Sequence, residues 1–389
     1  GIVIADAVFH VGIYDRLMAD NNIARIITGV LAFLCICIFG MKQPHRSFMH
    51  SILALLGLSF FVYMIFPDVA TYFGIGFASH IVIDALNGKR EKLFWPIGKG
   101  FASMRIMAWS FVGRIETSHG VFYAKSVSST TEYEPIVTKL LWLVSPYVVE
   151  VIDISETNGW ILTKAMHSDD ENMPFSVVVS AIEKYAELQV QSLEVSKEIC
   201  NTGIPVVELG KVQERLNDVL ERFSRLDQTH PSHFTMEDVS LARSVENFFV
   251  DTEQLLMTTG IPNTIEHGDL LAKNLLHGSD YKTLKWFDFG DASWNFPFIS
   301  LDMMTEPVVS GYNECQIAQI KKAYLSIWSK QTALSMEKLY RVFDAAMIQA
   351  TLRRAETRLD IMETVPVEFL GEMAPVAKDD SIRMVNALV

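Results

Sequence analysis

Ile265-Glu-His-Gly-Asp-Leu-Leu-Ala-Lys-Asn274, followed by Trp286-Phe-Asp-Phe-Gly-Asp291, is the stretch of sequence on which the fold turns. Apolar, strand-like flanks surround a polar centre in both segments. Asp269, an amide at Asn274 and a second carboxylate at Asp288 make a spaced set of hard oxygen donors. Phosphoryl transfer from a nucleotide asks little covalent chemistry of a protein. It needs a carboxylate to orient and deprotonate a hydroxyl, and oxygen ligands for the magnesium ions that bridge the phosphates. Magnesium keeps several of its waters, so one Asn and one Asp suffice. A lone His-Gly-Asp would read as a turn with a polar cap. Three matches at this spacing between apolar strands read as a site.

The His-Gly-Asp-(x)4-Asn run with its downstream Asp-Phe-Gly-Asp resembles the catalytic and metal-binding motifs of aminoglycoside phosphotransferases and choline-kinase-like enzymes. The resemblance covers about residues 103–360. It implies that Asp269 is the catalytic base, that Asn274 and Asp288 are magnesium ligands, and that ATP is the donor. His267 would buttress the loop, and Asp302 in Phe296-Pro-Phe-Ile-Ser-Leu-Asp302 would be structural. Upstream, Val121-Phe-Tyr-Ala-Lys125 ends a strand as the family's ATP-contacting lysine does. Such a lysine is held by a helix glutamate; Glu132 and Glu134 are both placed for this, and Glu134 is preferred. A solvated edge-strand lysine is the bland alternative. Trp160-Ile-Leu-Thr-Lys-Ala-Met166 resembles the strand leading to the adenine-binding hinge. Two features depart from the family. Met104–Val112 contains no glycine where a phosphate-covering loop belongs, and Leu271 and Lys273 stand where many relatives have His and Gly.

Outward from this centre the pattern predicts an α+β, protein-kinase-like, two-lobed fold. Val112–Glu116 and Val121–Val127 flank a Ser118-His119-Gly120 turn, Thr131–Leu143 reads as a helix, and Val148–Ile154 and Trp160–Lys164 read as strands. That gives a small β-rich N-lobe at residues 100–166. The rest, 167–389, forms a larger helical C-lobe, with helices over Ser176–Cys200, Val212–Leu226 and Met236–Thr258 and after Ile317 and Met336. Glu183, Glu187, Asp251 and Glu253 on these helices suit a cationic acceptor, and a solvated helix face explains them equally well.

Residues 1–99 read differently. The whole chain of 389 residues has net charge −13, yet residues 1–100 hold 8 Lys and Arg against 6 Asp and Glu, and the remainder 25 against 40. An acidic body argues against nucleic acid as a partner. Ile23–Gly40, Ser51–Phe66 and Val69–Leu86 are apolar runs approaching bilayer length. They predict a transmembrane helical segment in an inner membrane, with a buried helical hairpin as the alternative reading of the two shorter runs. Lys42, Arg46, Lys89, Arg90, Lys92 and Lys99 flank the runs, and no cation lies in the Pro67-Asp68 turn. The positive-inside rule therefore puts the kinase-like part in the cytoplasm. Cys35, Cys37, Cys200 and Cys315 make no CxxC spacing, which fits a reducing compartment. Gly1 reads as an internal start rather than a native one.

A hairpin of the second and third runs would bring His45, His50, His80 and Asp84 to one membrane level. Three imidazoles and a carboxylate suit zinc or another transition metal. Pro44-His-Arg-Ser-Phe-Met-His-Ser51, Gly76-Phe-Ala-Ser-His80-Ile-Val-Ile-Asp84 and Trp95-Pro96 resemble a family of membrane-bound metal-dependent hydrolases over about residues 40–98, without that family's acidic motif upstream of His45. The leading expectation is a membrane-tethered, ATP- and Mg-dependent phosphotransferase acting on a hydroxyl of a small molecule. The alternative is a membrane metal-dependent hydrolase carrying a degenerate kinase-like domain for binding or regulation.

Overall fold

The computed structural model describes residues 23–42, 48–86, 100–107, 110–167 and 173–364. It divides into two bodies, Gly1–Ile106 with Val112–Tyr123, and Met107–Phe111 with Ala124–Val389.

In the first body the apolar runs become helices α1 (Ile23–Met41), α2 (Ile52–Ile65) and α3 (Pro67–Leu86). Ser51 starts α2, its Oγ accepting the Ala54 N–H at 3.1 Å and donating to Phe48 O at 2.6 Å. Phe66 alone separates α2 from α3. Pro67 opens α3, where a missing N–H costs nothing. Ala54, Leu58 and Val62 recur at helical spacing and are the buried face of α2. Gly29 lets α1 close on it, since a Cβ there would stand 2.9 Å from Ile65 Cγ1. The expected membrane span is not found: among the described residues no helix is long and apolar enough to cross a membrane. The 14 residues of α2 reach about 21 Å, short of a hydrocarbon core of about 30 Å. Strands β1 (Gly100–Met107), β2 (Ser110–Thr117) and the first half of β3 (Gly120–Val127) follow, neighbours in that order, except that Met107, Ser110 and Phe111 belong to the second body.

The second body takes up β3 at Ala124, next to which lie β5 (Trp160–Lys164) and then β4 (Val151–Ser155). The β4–β5 pair is antiparallel, with Ser155 opposite Trp160 and Gly159 left-handed at the turn. Between β3 and β4 runs α4 (Glu134–Val144). The helical region comprises α5 (Phe175–Ser192), α6 (Ser196–Cys200), α7 (Val212–Arg225), α8 (Met236–Ser244), α9 (Glu246–Met257), α10 (Glu314–Thr332) and α11 (Met336–Thr364). Two short antiparallel pairs lie within it, β6 (Thr264–Glu266) with β9 (Ser293–Asn295) and β7 (Leu275–His277) with β8 (Leu284–Trp286). Tyr185, Trp286, Phe289, Phe296, Phe298, Tyr324 and Trp328 fill the core beneath these pairs. A second cluster forms where α7, α8 and α9 meet the end of α11, around the stacked rings of Phe223 and Phe234.

Three boundaries differ from expectation. The helix expected at Thr131 begins at Glu134, after a 3-10 turn at Ser129–Thr131. The Ser176–Cys200 helix breaks at Leu193–Val195, where the Ser192 hydroxyl accepts Ile265 N–H at 3.2 Å and so serves β6. The Met236–Thr258 helix breaks at the buried Val245.

Candidate active site

The β6 strand delivers His267, Gly268 and Asp269 into a loop that lies against the turn after β8. Gly268 has φ +79°, and a Cβ there would come within 2.1 Å of Asp291 O. Only glycine permits this approach. His267 is fully buried. Its Nε2 donates to Phe287 O at 2.9 Å, its Nδ1 accepts the Asp269 N–H at 3.4 Å, and its backbone N–H donates to Tyr185 Oη at 2.9 Å. Burial holds its pKa below the ordinary value, as a neutral ring with one donor and one acceptor requires. His267 therefore links the Asp269 segment to the residue before Asp288.

A hairpin brings the next two residues together. Asn274 immediately precedes β7 and Asp288 stands just beyond β8. Leu275 pairs with Trp286, and Phe287 N–H donates to Asn274 O at 3.2 Å. The Asn274 amide donates to Asp269 O at 2.7 Å and to Asp269 Oδ2 at 3.0 Å. Both bonds use the amide nitrogen, so neither occupies the lone pairs of the amide oxygen. Asp288 has a left-handed backbone, φ 67° and ψ 61°, which starts the 3-10 turn Phe289–Asp291.

Lys125, near the end of β3, lies 2.7 Å from both Glu134 carboxylate oxygens and 2.5 Å from Asp288 Oδ1. Of the two glutamates considered, Glu134 is the one that meets the lysine. Burial alone would lower the Lys125 pKa, but the two carboxylates outweigh it and raise it. Burial pushes Glu134 up to about 7 against the pull of Lys125. Tyr133 Oη donates to Gly290 O at 2.6 Å, fastening the start of α4 to the turn that carries Asp288.

Sequence reasoning gave no role to three further groups. Asp291 is pushed up to about 6, first by burial and then by Asp269 and Asp288. Lys273 Nζ lies 2.8 Å from Asp269 Oδ2. Beneath the loop, Ser300 N–H donates to Glu266 Oε2 at 2.6 Å, Gln189 Nε2 donates to the other Glu266 oxygen, and Ser300 Oγ accepts the Gly268 N–H at 3.2 Å. Burial raises Glu266 well above the carboxylate range. The only sequence signal for these was spacing: i, i+4 for Lys273 and the second Asp of Asp-Phe-Gly-Asp for Asp291.

Other expected residues do not join the site. Glu253 is buried and accepts the Lys211 and Val212 N–H groups at the start of α7, at 3.2 and 3.1 Å, which makes it structural. Glu187 accepts a hydrogen bond from Tyr147 Oη at 2.6 Å. Asp302, expected to be structural, pairs with Arg354 on α11. His45 lies outside the described residues, as do the side chains of His50 and Asp84, while His80 is exposed on α3. The expected zinc-type centre thus falls mostly outside the described residues; among those that are described, no group of three or more His, Cys, Asp or Glu is placed to hold a metal ion.

Solved structures share this architecture. A choline/ethanolamine kinase family protein from Mesorhizobium loti superposes with TM-score 0.52 at 14% identity, covering 76% of this chain and 89% of that one. An ethanolamine kinase from Plasmodium vivax gives 0.51 at 10% identity, covering 74% and 84%. The fold is that of the choline and ethanolamine kinases. An ADP-bound aminoglycoside phosphotransferase shares this kinase fold, with TM-score 0.50 at 10% identity, covering 75% of this chain and 95% of that one. The model of a family described as YdjM inner membrane protein matches residues 6–156. No curated protein matches the sequence.

Proposed function

We propose that the chain is an ATP- and magnesium-dependent phosphotransferase acting on a hydroxyl group of a small molecule. The observation that carries this reading is the hydrogen-bonding of Asn274. Its amide nitrogen holds Asp269, while the β7–β8 pairing sets Asn274 and Asp288 at the same end of one hairpin. The donor set fits magnesium, which prefers hard oxygen ligands. Burial, and after it the nearby Asp269 and Asp288, raise Asp291, so the site is short of positive charge.

Bound magnesium would neutralise charge on the transferring phosphoryl group, held by Asn274 and Asp288. Asp269 Oδ1 accepts the proton of the substrate hydroxyl. The hydroxyl oxygen bonds to the γ-phosphorus as the bond to the β,γ-bridging oxygen breaks, and the electron pair leaves with ADP. Lys125, kept charged by Glu134, orients the nucleotide phosphates. Residues 100–166 would serve as the N-lobe and 167–389 as the C-lobe. Transfer from labelled ATP to a panel of amino alcohols and aminoglycosides tests the reading. Asp269→Asn is expected to lower turnover at least about a hundredfold. ATP binding with no Asp269-dependent transfer would refute it.

The YdjM match supports contact with a membrane, as do the outward-facing Leu31, Leu34, Leu53, Leu56, Phe60 and Tyr72 of the first body. On this reading the chain lies at an inner membrane with its kinase-like body in the cytoplasm. Recovery of the full chain in the aqueous phase on detergent partition would overturn that part alone.

A further inference from the structure

Lys273 sits where many members of the resembled family have glycine, and it is not idle. Its ammonium lies 2.8 Å from Asp269 Oδ2, the same oxygen that accepts the Asn274 amide at 3.0 Å. One carboxylate oxygen is therefore held by two donors, one neutral and one cationic. Among the described residues Oδ1 accepts no hydrogen bond. A carboxylate anchored through one oxygen by donors from two directions has a fixed torsion, so its free oxygen points one way. Lys125 cannot provide this charge, because it is engaged by Glu134 and Asp288.

We infer that Lys273 is a positioning residue for the transfer step: it clamps Asp269 through Oδ2 and so presents Oδ1 to the acceptor hydroxyl. The inference rests on the phosphotransferase reading and deepens it. Asp269 is flanked by Asp288 and Asp291, and a lone carboxylate among like charges is driven to rotate toward solvent. Lys273 opposes that rotation. A glycine at this position leaves the task to Asn274 alone, whose amide is shared with the metal.

The Lys273 side chain is 48% exposed and that of Asp269 22%, and an ion pair this open to solvent contributes little to folding. A clamp and a structural bridge therefore predict different outcomes. Lys273→Met should leave Tm within about 2 °C, keep the KM for MgATP within about twofold, and lower kcat by about 10- to 100-fold. Lys273→Arg, which restores a donor on Oδ2, should recover kcat to within about fivefold. The decisive comparison is with Asp269→Asn, measured as slow release of ADP from ATP with water and with an amino-alcohol panel as acceptors. If Lys273 acts through Asp269, adding Lys273→Met to Asp269→Asn costs nothing further, because residues acting as a unit are not additive. A double variant that falls below Asp269→Asn by the full single-variant factor overturns the clamp, as does Lys273→Met with kcat within twofold of wild type. Equal turnover by wild type and Asp269→Asn fails differently: it removes the phosphotransferase reading itself, and this inference with it.

Discussion

At the scale of single residues, the site is set by a few side chains in conformations that tolerate no substitute. Gly268 combines φ +79° with an approach of 2.1 Å between a hypothetical Cβ and Asp291 O. Gly268→Ala should therefore destabilise the chain by roughly 2–4 kcal/mol in a urea titration and displace Asp269. Asp291 offers a sharper test, through pH. Its pKa is raised from an ordinary 3.8 to about 6, first by burial and then by Asp269 and Asp288, with Lys125 and Arg353 opposing. The folded state then binds this proton more tightly than the unfolded chain does. Stability falls as pH rises from about 4 to about 6 and stays lowered above that. Asp291→Asn should recover up to ~3 kcal/mol at pH 8 and almost nothing at pH 3.5, measured without metal or nucleotide. Asp269, Asn274 and Asp288 were legible in the sequence because motif spacing records them directly. Asp291 and Lys273 were not, since what matters about them is burial and a side-chain contact across a turn, which spacing alone does not encode.

At the scale of elements, sequence periodicity located nearly every helix but not the breaks. The apolar repeat runs unbroken through Ser192–Val195 and through Val245, so nothing in the pattern announces that the backbone turns there. The first break depends on a serine hydroxyl bonding to a strand more than seventy residues away in sequence. Such a partner is visible only after folding. The same holds for the start of α4, which is set by contact with the Phe289–Asp291 turn. Tyr133 Oη donates to Gly290 O at 2.6 Å, and Glu134, the first residue of the helix, faces Lys125. Tyr133→Phe should cost about 1 kcal/mol through the unmet carbonyl. It should also weaken nucleotide binding several-fold, because Glu134 loses its register with Lys125. Equal nucleotide affinity for Tyr133→Phe and wild type in calorimetry would show that the helix start is held by other means.

For the whole molecule, the sequence indicated an apolar N-terminal segment and an acidic kinase-like remainder. It also suggested bilayer-length helices, where composition was a poor guide. Hydrophobic content shows that a helix avoids water, not whether lipid or protein covers it. One arrangement within the second body has a wider meaning. Asp288 is both the expected metal ligand and the partner of Lys125 at 2.5 Å. A cation arriving alone must displace that ammonium and leave it facing Glu134 only. A cation arriving with a nucleotide brings phosphates that take the ammonium over. The two ligands should therefore bind with positive coupling, each tightening the other by the same factor. Calorimetry should find magnesium alone binding weakly, and at least about tenfold more tightly once ATP is present. Asp288→Asn should abolish the difference. A protein wired this way stays empty in a cell rich in free magnesium until the phosphate donor arrives, and its resting state is kept by its own lysine.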